Sequence, residues 1–291
     1  MKVLSFGEVL FDISEDSCTL GGAPLNVLGH ISRLGGHGAI VTAVGRDPLG
    51  SKALSAMEEL GIDARYASVV AAETGKAFVK LSDGIPSYSF NDGCAWDRIA
   101  LSDDQKRTIS KEHFDAFVFG TLAQRSPLSR TTLEWLLDNV VADEVFLDLN
   151  LRLGFHTETI IFSSIGRSTI LKMNDDELRF MSSLMGIAEG KAIDHLLTEY
   201  PRLRFIIITC GKDGSHLISR NGGFHAPAGN AKAVDTVGAG DSLSAGFLHF
   251  LHSGAAPEEA LSKASLLADY VVQKHGAIPE YSQELVRDLG L

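Results

Sequence analysis

Residues 235–251 read DTVGAGDSLSAGFLHFL, and two signals meet in this stretch. Gly238, Ala239 and Gly240 are small, so the backbone can turn tightly there and bring its N–H groups close to a ligand. The apolar residues that follow repeat at helical spacing: Leu243, Phe247, Phe250 and Leu251. The turn is therefore predicted to lie at a helix N-terminus, where unpaired amides and the positive end of the helix dipole form an anion-binding site.

Asp241 is the unexpected member of this turn, because a carboxylate repels a bound phosphate. Its presence beside an anion site therefore suggests that it has a chemical task. Accepting a proton from a hydroxyl that attacks the phosphate is such a task. The alternative is a plain tight turn in which Asp241 is the N-terminal capping residue. A dinucleotide fingerprint fits less well, since it needs glycine where Leu243 stands. A P-loop is excluded, because Asp213 follows the Gly211-Lys212 pair where serine or threonine is required.

Composition narrows the class of protein. The chain has 291 residues and is 45% hydrophobic, enough for one full core. Its 26 basic and 37 acidic residues give a net charge of −11, which disfavours binding to nucleic acids and anionic membranes. The three cysteines form neither a disulfide framework nor a zinc spacing. MKVLSFGEVLFDI is predicted to be a first strand rather than a signal sequence, and no apolar run reaches membrane-spanning length. We expect a cytoplasmic protein with no nucleic-acid and no membrane partner.

Short apolar runs alternate with helical patterns along most of the chain, which predicts an α/β layer sandwich with a mostly parallel sheet. The predicted strands are Val3–Phe6, Ala39–Val44, Ala116–Phe119, Val145–Leu149, Thr169–Met173 and Phe205–Thr209. The predicted helices include Pro24–Leu34, Gly50–Leu60, Ser129–Val140 and Lys191–Glu199. Ligands of such sheets bind at the carboxyl ends of the strands.

One region breaks this alternation. Lys76–Ser82 and Ser87–Asn91 are predicted to be strands around the turn Asp83-Gly84-Ile85-Pro86, with no helix between them. Together with Ile13–Leu20 they predict a small sheet beside the main one. A sheet over strand ends acts as a lid that excludes water from a transfer reaction. The alternative is a hairpin without such a role.

The segment GGAPLN at 21–26 precedes a helical pattern, and Pro24 suits the first helical turn. Gly22 permits close approach of a ligand, and Asn26 carries a donor and an acceptor that suit hydroxyl groups. Asp12, at the end of the predicted first strand, is placed to hold sugar hydroxyls. The alternatives are a plain strand-to-helix turn at 21–26 and an exposed loop charge at Asp12.

The segment DLNLR follows an apolar strand and puts Asp148, Asn150 and Arg152 at alternate positions, which predicts that they share one face. Arg152 suits recognition of a phosphate or a sugar oxygen, or else pairs structurally with an acid.

Asn174 and Glu177 lie three residues apart at the start of a predicted helix, so they share a face and suit a hydrated Mg²⁺ beside phosphates. A capping box, with Asn174 as the cap, is the compatible alternative. Thr209, Gly211 and Gly214 end another strand in a loop that can lie along a nucleotide.

Together these segments resemble the ribokinase/PfkB-type carbohydrate kinase family over essentially the whole chain. GGAPLNVLGHISRLG is similar to the family's N-terminal signature, and DTVGAGDSLSAGF to its C-terminal signature. The spacing of FGTLAQRS, DLNLR and KMNDDEL is similar to that of fructokinase-like members. The resemblance implies a ribokinase-like three-layer α/β/α sandwich with a mostly parallel central sheet. It also implies a single domain over residues 1–291, with a lid formed by about residues 13–20 and 76–97.

The activity that this resemblance implies is ATP-dependent transfer of the γ-phosphoryl group to a sugar hydroxyl, with Mg²⁺. A ketose such as D-fructose is favoured, because Thr121–Gln124 stand where ribokinase-like members carry a glutamate. The alternatives are 2-keto-3-deoxygluconate, ribose, a nucleoside, or a non-catalytic sugar sensor. Lys263-Ala-Ser265 stands where many relatives carry asparagine beside the adenine, so the donor nucleotide stays open.

The resemblance also assigns roles to residues. Asp241 corresponds to the catalytic base, and Gly238, Ala239 and Gly240 to its anion hole. Sugar-binding positions are Asp12, Gly22 and Asn26, with Arg152 as a further candidate. Asn174 and Glu177 correspond to the motif that organises Mg²⁺ through water. The nucleotide loop contains Thr209, Gly211 and Gly214, and Asn174 and Gly240 are further nucleotide-binding positions. Asp235 corresponds to a site for a monovalent cation, usually K⁺. Lid sheets of family members often pair between subunits, which implies a homodimer; the alternative is an exposed edge that is capped within one chain.

Overall fold

The computed structural model describes residues 1–14, 17–82, 85–152, 154–229 and 232–291. Its strands are β1 Lys2–Phe6, β2 Leu10–Ile13, β3 Cys18–Gly21, β4 His37–Gly45, β5 Ile62–Asp63, β6 Ala67–Val70, β7 Gly75–Ser82, β8 Ile85–Phe90, β9 His113–Gly120, β10 Val141–Asp148, β11 Ile170–Asn174, β12 Phe205–Thr209, β13 Ser215–Ser219 and β14 Gly222–Ala226. Its α-helices are α1 Ala23–Arg33, α2 Pro48–Glu59, α3 Asp103–Ile109, α4 Pro127–Asn139, α5 Glu158–Arg167, α6 Asp175–Met185, α7 Glu189–Glu199, α8 Ala239–His252, α9 Pro257–Val271 and α10 Gln283–Leu289.

The main sheet has ten strands in the order β14-β13-β12-β11-β10-β9-β1-β4-β5, with β6 paired to β4. The pairs from β12 to β5 are parallel, and β13 and β14 are antiparallel at one edge. Successive strand residues enter opposite cores: Phe117 and Phe119 pack with α4 to α7, whereas Val118 packs with α1, α8 and α9. Both faces are therefore covered, which gives the predicted three-layer α/β/α sandwich.

The predicted strands and helices of the main layer are confirmed, with end points that shift by a few residues. The first strand is the exception. It ends at Phe6, because the chain turns at Gly7, where φ is 149°. A second strand, β2, then runs in a different sheet. The prediction that Asp12 ends the first strand is therefore wrong, since Asp12 lies within β2.

The second sheet has four strands in the order β3-β2-β7-β8. The hairpin of β7 and β8 is antiparallel, and β2 pairs in parallel with β7. Of the predicted turn, Asp83 and Gly84 lie outside the described residues, as do Glu15 and Asp16 of the predicted 13–20 segment. The sheet differs from the predicted ranges at both ends. It begins at Leu10, and after Phe90 the chain forms a 3-10 helix, Ala95–Arg98, whose Trp96 is buried in the main core.

Two further expectations concern the cysteines and membrane-spanning helices. Cys18, Cys94 and Cys210 are all free thiols. In the part of the chain that the structure describes, every helix is too short or too polar to span a bilayer.

Candidate active site

Helix α8 begins in the predicted turn. Its cap, Gly238, has a left-handed backbone with φ of 81°, and a Cβ atom there would lie 2.5 Å from the carbonyl oxygen of Ala277. Only glycine fits this position. No described residue accepts a hydrogen bond from the amide of Gly240 or of Asp241. The first turn of α8, with Ala239 as its first residue, therefore presents free donors to an anion.

Asp241 is the third residue of α8 and does not cap it, so the capping alternative is wrong. Its Oδ2 accepts a hydrogen bond of 2.8 Å from Nδ2 of Asn26, which lies on α1. Burial, followed by the charge of Asp148, raises the pKa of Asp241 to about 6, against the opposing effects of Asn26 and Lys172. The site therefore holds a carboxylate whose affinity for protons is well above that of an ordinary aspartate.

A buried ion pair borders this turn. Lys172 of β11 and Asp148 of β10 are register partners, and their Nζ and Oδ2 atoms are 2.7 Å apart. A Cβ atom on Gly240 would lie 3.1 Å from the Lys172 Nζ, so the ammonium group is close to the free amides. Burial lowers the pKa of Lys172, but the adjacent Asp148, together with Asp241 and Glu177, raises it, and the net shift is upward. Sequence analysis did not single out Lys172 as a site residue; the available signal was a lysine within the apolar strand ILKMN.

The segment at 148–152 does not have the predicted geometry. Strand β10 ends at Asp148, and Asn150 has a left-handed φ of 41°, so the three polar residues do not share one face. Asp148 points inward to Lys172, whereas Arg152 is exposed. No described residue pairs with Arg152, but its charge acts on the pKa values of Asp12 and Asp241. Arg152 therefore lies on the same side of the molecule as the candidate sugar residues.

Asp12 lies in β2 of the small sheet, and Gly22 directly follows β3, which pairs with β2. Burial raises the pKa of Asp12, and Arg152 opposes this shift. Gly22 lies against the backbone of Glu8, since a Cβ atom there would be 2.3 Å from the Glu8 carbonyl oxygen. Glu8 itself is buried, and desolvation raises the pKa of its carboxyl group to about 7. Sequence analysis did not single out Glu8 as a site residue.

Asn174 and Glu177 form the capping box that sequence analysis gave as the alternative. The Asn174 Oδ1 accepts from the Glu177 amide, and the Glu177 Oε2 accepts from the Asn174 amide, both at 2.8 Å. The Glu177 Oε1 also accepts from the amide of Leu151, at 2.7 Å. Burial raises the pKa of Glu177, and Asp148 adds to this shift. Each carboxylate oxygen of Glu177 keeps a second lone pair, so the capping role leaves room for water beside it.

The candidate nucleotide loop follows the neighbouring strand. Thr209 ends β12 as the register partner of Asn174. Gly211 and Gly214 have positive φ angles of 53° and 88°, and a Cβ atom on Gly214 would lie 2.2 Å from the carbonyl oxygen of Ala226. On the adjacent helix α9, Ser265 is hydrogen-bonded to Ser215 at 2.9 Å. The loop is thus fixed against β14 and α9 at the same edge of the sheet as Asp148 and Lys172.

Asp235 ties the approach to α8 to a distant segment. Its Oδ1 accepts from the amide of Val237 at 3.0 Å, and its Oδ2 accepts from the amide of Gly276 at 3.2 Å. Both carboxylate oxygens of Asp235 are therefore used by backbone amides near the turn.

Gln124 belongs to the segment that stands where ribokinase-like members carry a glutamate. Its Nε2 donates to the Gly120 carbonyl oxygen and to the Ser164 hydroxyl in the interior.

These features define a phosphoryl-transfer class of protein: an α/β sheet, an anion site at a helix N-terminus and a desolvated carboxylate beside it. Comparison with known proteins agrees. The model of the pfkB family carbohydrate kinases matches residues 2–284. A protein named probable fructokinase-5 from Arabidopsis thaliana is 28% identical, over 95% of this chain and 93% of its own length.

Two solved structures have the same fold. A fructokinase with bound ATP from Xylella fastidiosa has a TM-score of 0.87 at 21% identity, covering 99% of this chain and 97% of its own. An aminoimidazole riboside kinase from Salmonella enterica has a TM-score of 0.81 at 26% identity, covering 99% and 100%. The chain belongs to the pfkB family and is a carbohydrate kinase. The fold is ribokinase-like, with a small second sheet.

Proposed function

We propose that this kinase transfers the γ-phosphoryl group of ATP to a hydroxyl group of D-fructose or a related ketose. The contact that supports the proposal most is the hydrogen bond from Asn26 to Asp241. It joins the helix that is expected to bind the sugar to the carboxylate at the anion site. The similarity to a fructokinase at 28% identity favours fructose as the acceptor.

Asn26 is suited to the sugar end of the site. Its Nδ2 donates to Asp241, whereas its Oδ1 is buried and has no partner among the described residues. A buried acceptor without a donor is costly, and a hydroxyl group of a bound substrate removes that cost. Asp12, Gly22 and the exposed Arg152 complete the proposed sugar-binding set.

The reaction assigns one task to each group. Asp241 takes the proton of the acceptor hydroxyl group as the hydroxyl oxygen forms a bond to the γ-phosphorus. The bond between the γ-phosphorus and the β-phosphate oxygen breaks, and ADP leaves. The amides of Gly240 and Asp241 donate to the transferring group, and Lys172 adds a positive charge beside them. Such preorganised donors are each worth about 3 kcal/mol of transition-state stabilisation.

We propose that Mg²⁺ accompanies the nucleotide. The oxygens of Glu177 and Asn174 suit this hard cation, but they already accept backbone hydrogen bonds. They therefore fit a hydrated ion held through water rather than a direct protein cage. When bound, the ion neutralises charge on the phosphates. The ATP analogue in the riboside kinase at 26% identity supports ATP as the donor, with the loop of Thr209, Gly211 and Gly214 along it.

Asp235 is the proposed neighbour of a monovalent cation. Its carboxylate and the adjacent loop lie close to Gly238, so an ion there would reinforce the turn. Turnover in K⁺ is compared with turnover in tetramethylammonium at equal ionic strength. A higher kcat in K⁺ supports the cation site, and equal values exclude activation.

The acceptor is identified with a coupled assay for ADP release. Fructose, ribose, 2-keto-3-deoxygluconate, adenosine and aminoimidazole riboside are compared by kcat/KM with ATP and Mg²⁺. An Asp241→Asn preparation serves as the blank for contaminating kinases. We expect the highest kcat/KM with fructose or another ketose.

Two outcomes contradict this assignment. A higher kcat/KM with aminoimidazole riboside identifies a nucleoside-type kinase, the second candidate that the neighbour at 26% identity favours. Sugar binding by calorimetry without ADP release at any Mg²⁺ concentration identifies a sugar sensor.

The small sheet is the proposed lid and the proposed dimer contact. Asp12 lies in β2, so sheet and sugar site share a strand. The outer strands β3 and β8 are the edges available to a second copy. Light scattering coupled to size exclusion gives the mass, and a monomer at assay concentration rejects the dimer.

A further inference from the structure

His30 lies on α1 and has no part in the chemistry proposed above, yet it is fully buried and both ring nitrogens are used. Its Nε2 is 2.8 Å from the carbonyl oxygen of Ala277, and its Nδ1 is 2.7 Å from the hydroxyl of Tyr281. Because a carbonyl oxygen only accepts, Nε2 must carry the hydrogen and Nδ1 must accept from Tyr281. Burial lowers the pKa of His30 to about 4, so this neutral tautomer persists at neutral pH.

Helix α1 holds the segment 277–281 at further points. A Cβ atom on Gly29 would lie 2.5 Å from the Ile278 side chain, so α1 and the segment are in close contact. Arg33 donates to the Ile278 carbonyl oxygen at 3.2 Å and forms an ion pair with Glu280. Among these contacts, the one from His30 reaches Ala277, which also lies against Gly238 at the start of α8.

Ala277 lies directly against the cap of α8. From a Cβ atom on Gly238, the Ala277 carbonyl oxygen would be 2.5 Å away and its Cα 2.7 Å. The next residue toward the N-terminus, Gly276, donates to Asp235 at 3.2 Å. Any shift of the Ala277 carbonyl therefore moves or frees the turn that begins α8, because close-packed interiors transmit displacements.

Helix α1 thus reaches the N-terminus of α8 twice, from residues one helical turn apart. Asn26 bonds Asp241 directly, and His30 acts through the Ala277 carbonyl. We infer that His30 is a positioning residue, which fixes the Gly238–Asp241 turn so that the base and the anion site stay in register. This inference rests on the proposed function of that turn in phosphoryl transfer.

The test compares two variants of His30. His30→Leu removes the donor and the acceptor, whereas His30→Gln can supply both again. We expect about 10- to 100-fold lower kcat for His30→Leu, since small misplacements at a reacting centre have effects of this size. The KM for the sugar should change much less, because Asp12 and Asn26 remain. His30→Gln should recover most of the lost kcat.

Ile31→Ala is the matched control. Ile31 is the next residue on α1 and is equally buried, but its apolar side chain forms no hydrogen bond to the Ala277 carbonyl oxygen. We expect Ile31→Ala to lower the Tm and to keep kcat. Equal loss of kcat in both variants at equal loss of Tm would overturn the inference, as would a wild-type kcat in His30→Leu.

Tyr281→Phe is the second variant if His30→Leu does not fold. It leaves the His30 Nδ1 without its donor and should also lower kcat; an unchanged kcat in Tyr281→Phe overturns the inference.

A measurement without turnover separates this inference from the proposed function. Hydrogen exchange of the Gly240 and Asp241 amides is followed in the unliganded protein. Faster exchange in His30→Leu than in Ile31→Ala supports the positioning role even if no sugar is phosphorylated. Equal exchange rates contradict it even if the wild type proves to be a fructokinase.

Discussion

Two buried ion pairs in this kinase have similar burial and different surroundings. The Lys172 and Asp148 side chains are 8% and 9% exposed, and those of Arg125 and Asp97 are 8% and 12% exposed. The first pair borders the free amides at the start of α8. The second lies beside the segment that follows the small sheet, and the described hydrogen-bond partners of Arg125 are Asp97, Asn91 and Cys94, none of which is assigned to the reaction.

Arg125 is surrounded by aromatic rings and hydrogen-bond acceptors. Its guanidinium group lies 4.8 Å from the Trp96 ring centre and 4.9 Å from that of Phe155. Two nitrogens donate to the Asp97 carboxylate at 2.8 Å, and Nη2 also donates to the Asn91 carbonyl oxygen at 2.7 Å. Arg125 therefore joins the end of β8 to the core.

Lys172 has acidic neighbours besides its partner. Its positive charge acts on the pKa of both Asp241 and Glu177. A buried ion pair contributes little net stability compared with apolar residues of similar size. The comparison therefore predicts that the first pair serves the proposed reaction through its charge, whereas the second holds two parts of the fold together.

Among the variants of the two ion pairs, Lys172→Met should have the largest effect. We expect turnover to fall by about 10²–10³-fold, because a preorganised charge beside the transferring group is lost. The free energy of unfolding should fall by about 3–5 kcal/mol, because Asp148 is left buried without a partner. Steady-state kinetics and urea unfolding measure the two effects.

The double variant Lys172→Met/Asp148→Leu separates them. Removing both charges should restore stability but not turnover. Recovery of turnover together with stability would mean that Lys172 has only a structural role.

Arg125→Met should give the complementary result. We expect a similar loss of about 3–5 kcal/mol in unfolding free energy, because Asp97 loses its buried partner. Turnover of the folded fraction should stay close to wild type. Arg125→Met/Asp97→Leu should recover stability and keep turnover; a large loss of kcat in this stable double variant would place Arg125 in the reaction.

The pH profile should give the smallest effect. Asp241 must be ionised to accept a proton, and burial raises its pKa to about 6, so kcat/KM should fall as the pH drops below that value. Lys172→Met removes a positive charge that favours the carboxylate, so the midpoint should move to higher pH. Arg125→Met should leave it in place.

Glu8→Gln is the control for the pH profile, because Glu8 is a second buried carboxyl group, whose pKa is raised to about 7. The acidic limb should persist in this variant. Its disappearance would assign the limb to Glu8 instead of Asp241.

Local patterns in the sequence predicted much of this molecule. The α8 turn depends on consecutive small residues and a helical repeat, and the capping box on two residues three apart, so both were predictable. Contacts distant in sequence were not. Lys172 meets Asp148 only because β10 and β11 pair in register, and Asn26 meets Asp241 across 215 residues. The break after β1 depends on the backbone angle at Gly7, which apolar periodicity does not report.

Asp241→Asn tests the central claim most directly, because it removes the base and keeps the size of the side chain and one oxygen that can accept from Asn26. We expect an unchanged Tm, ATP binding by calorimetry close to wild type, and turnover lower by about 10²–10⁴-fold. Near-normal turnover in this variant would contradict the assignment of Asp241 as the base that activates the sugar hydroxyl.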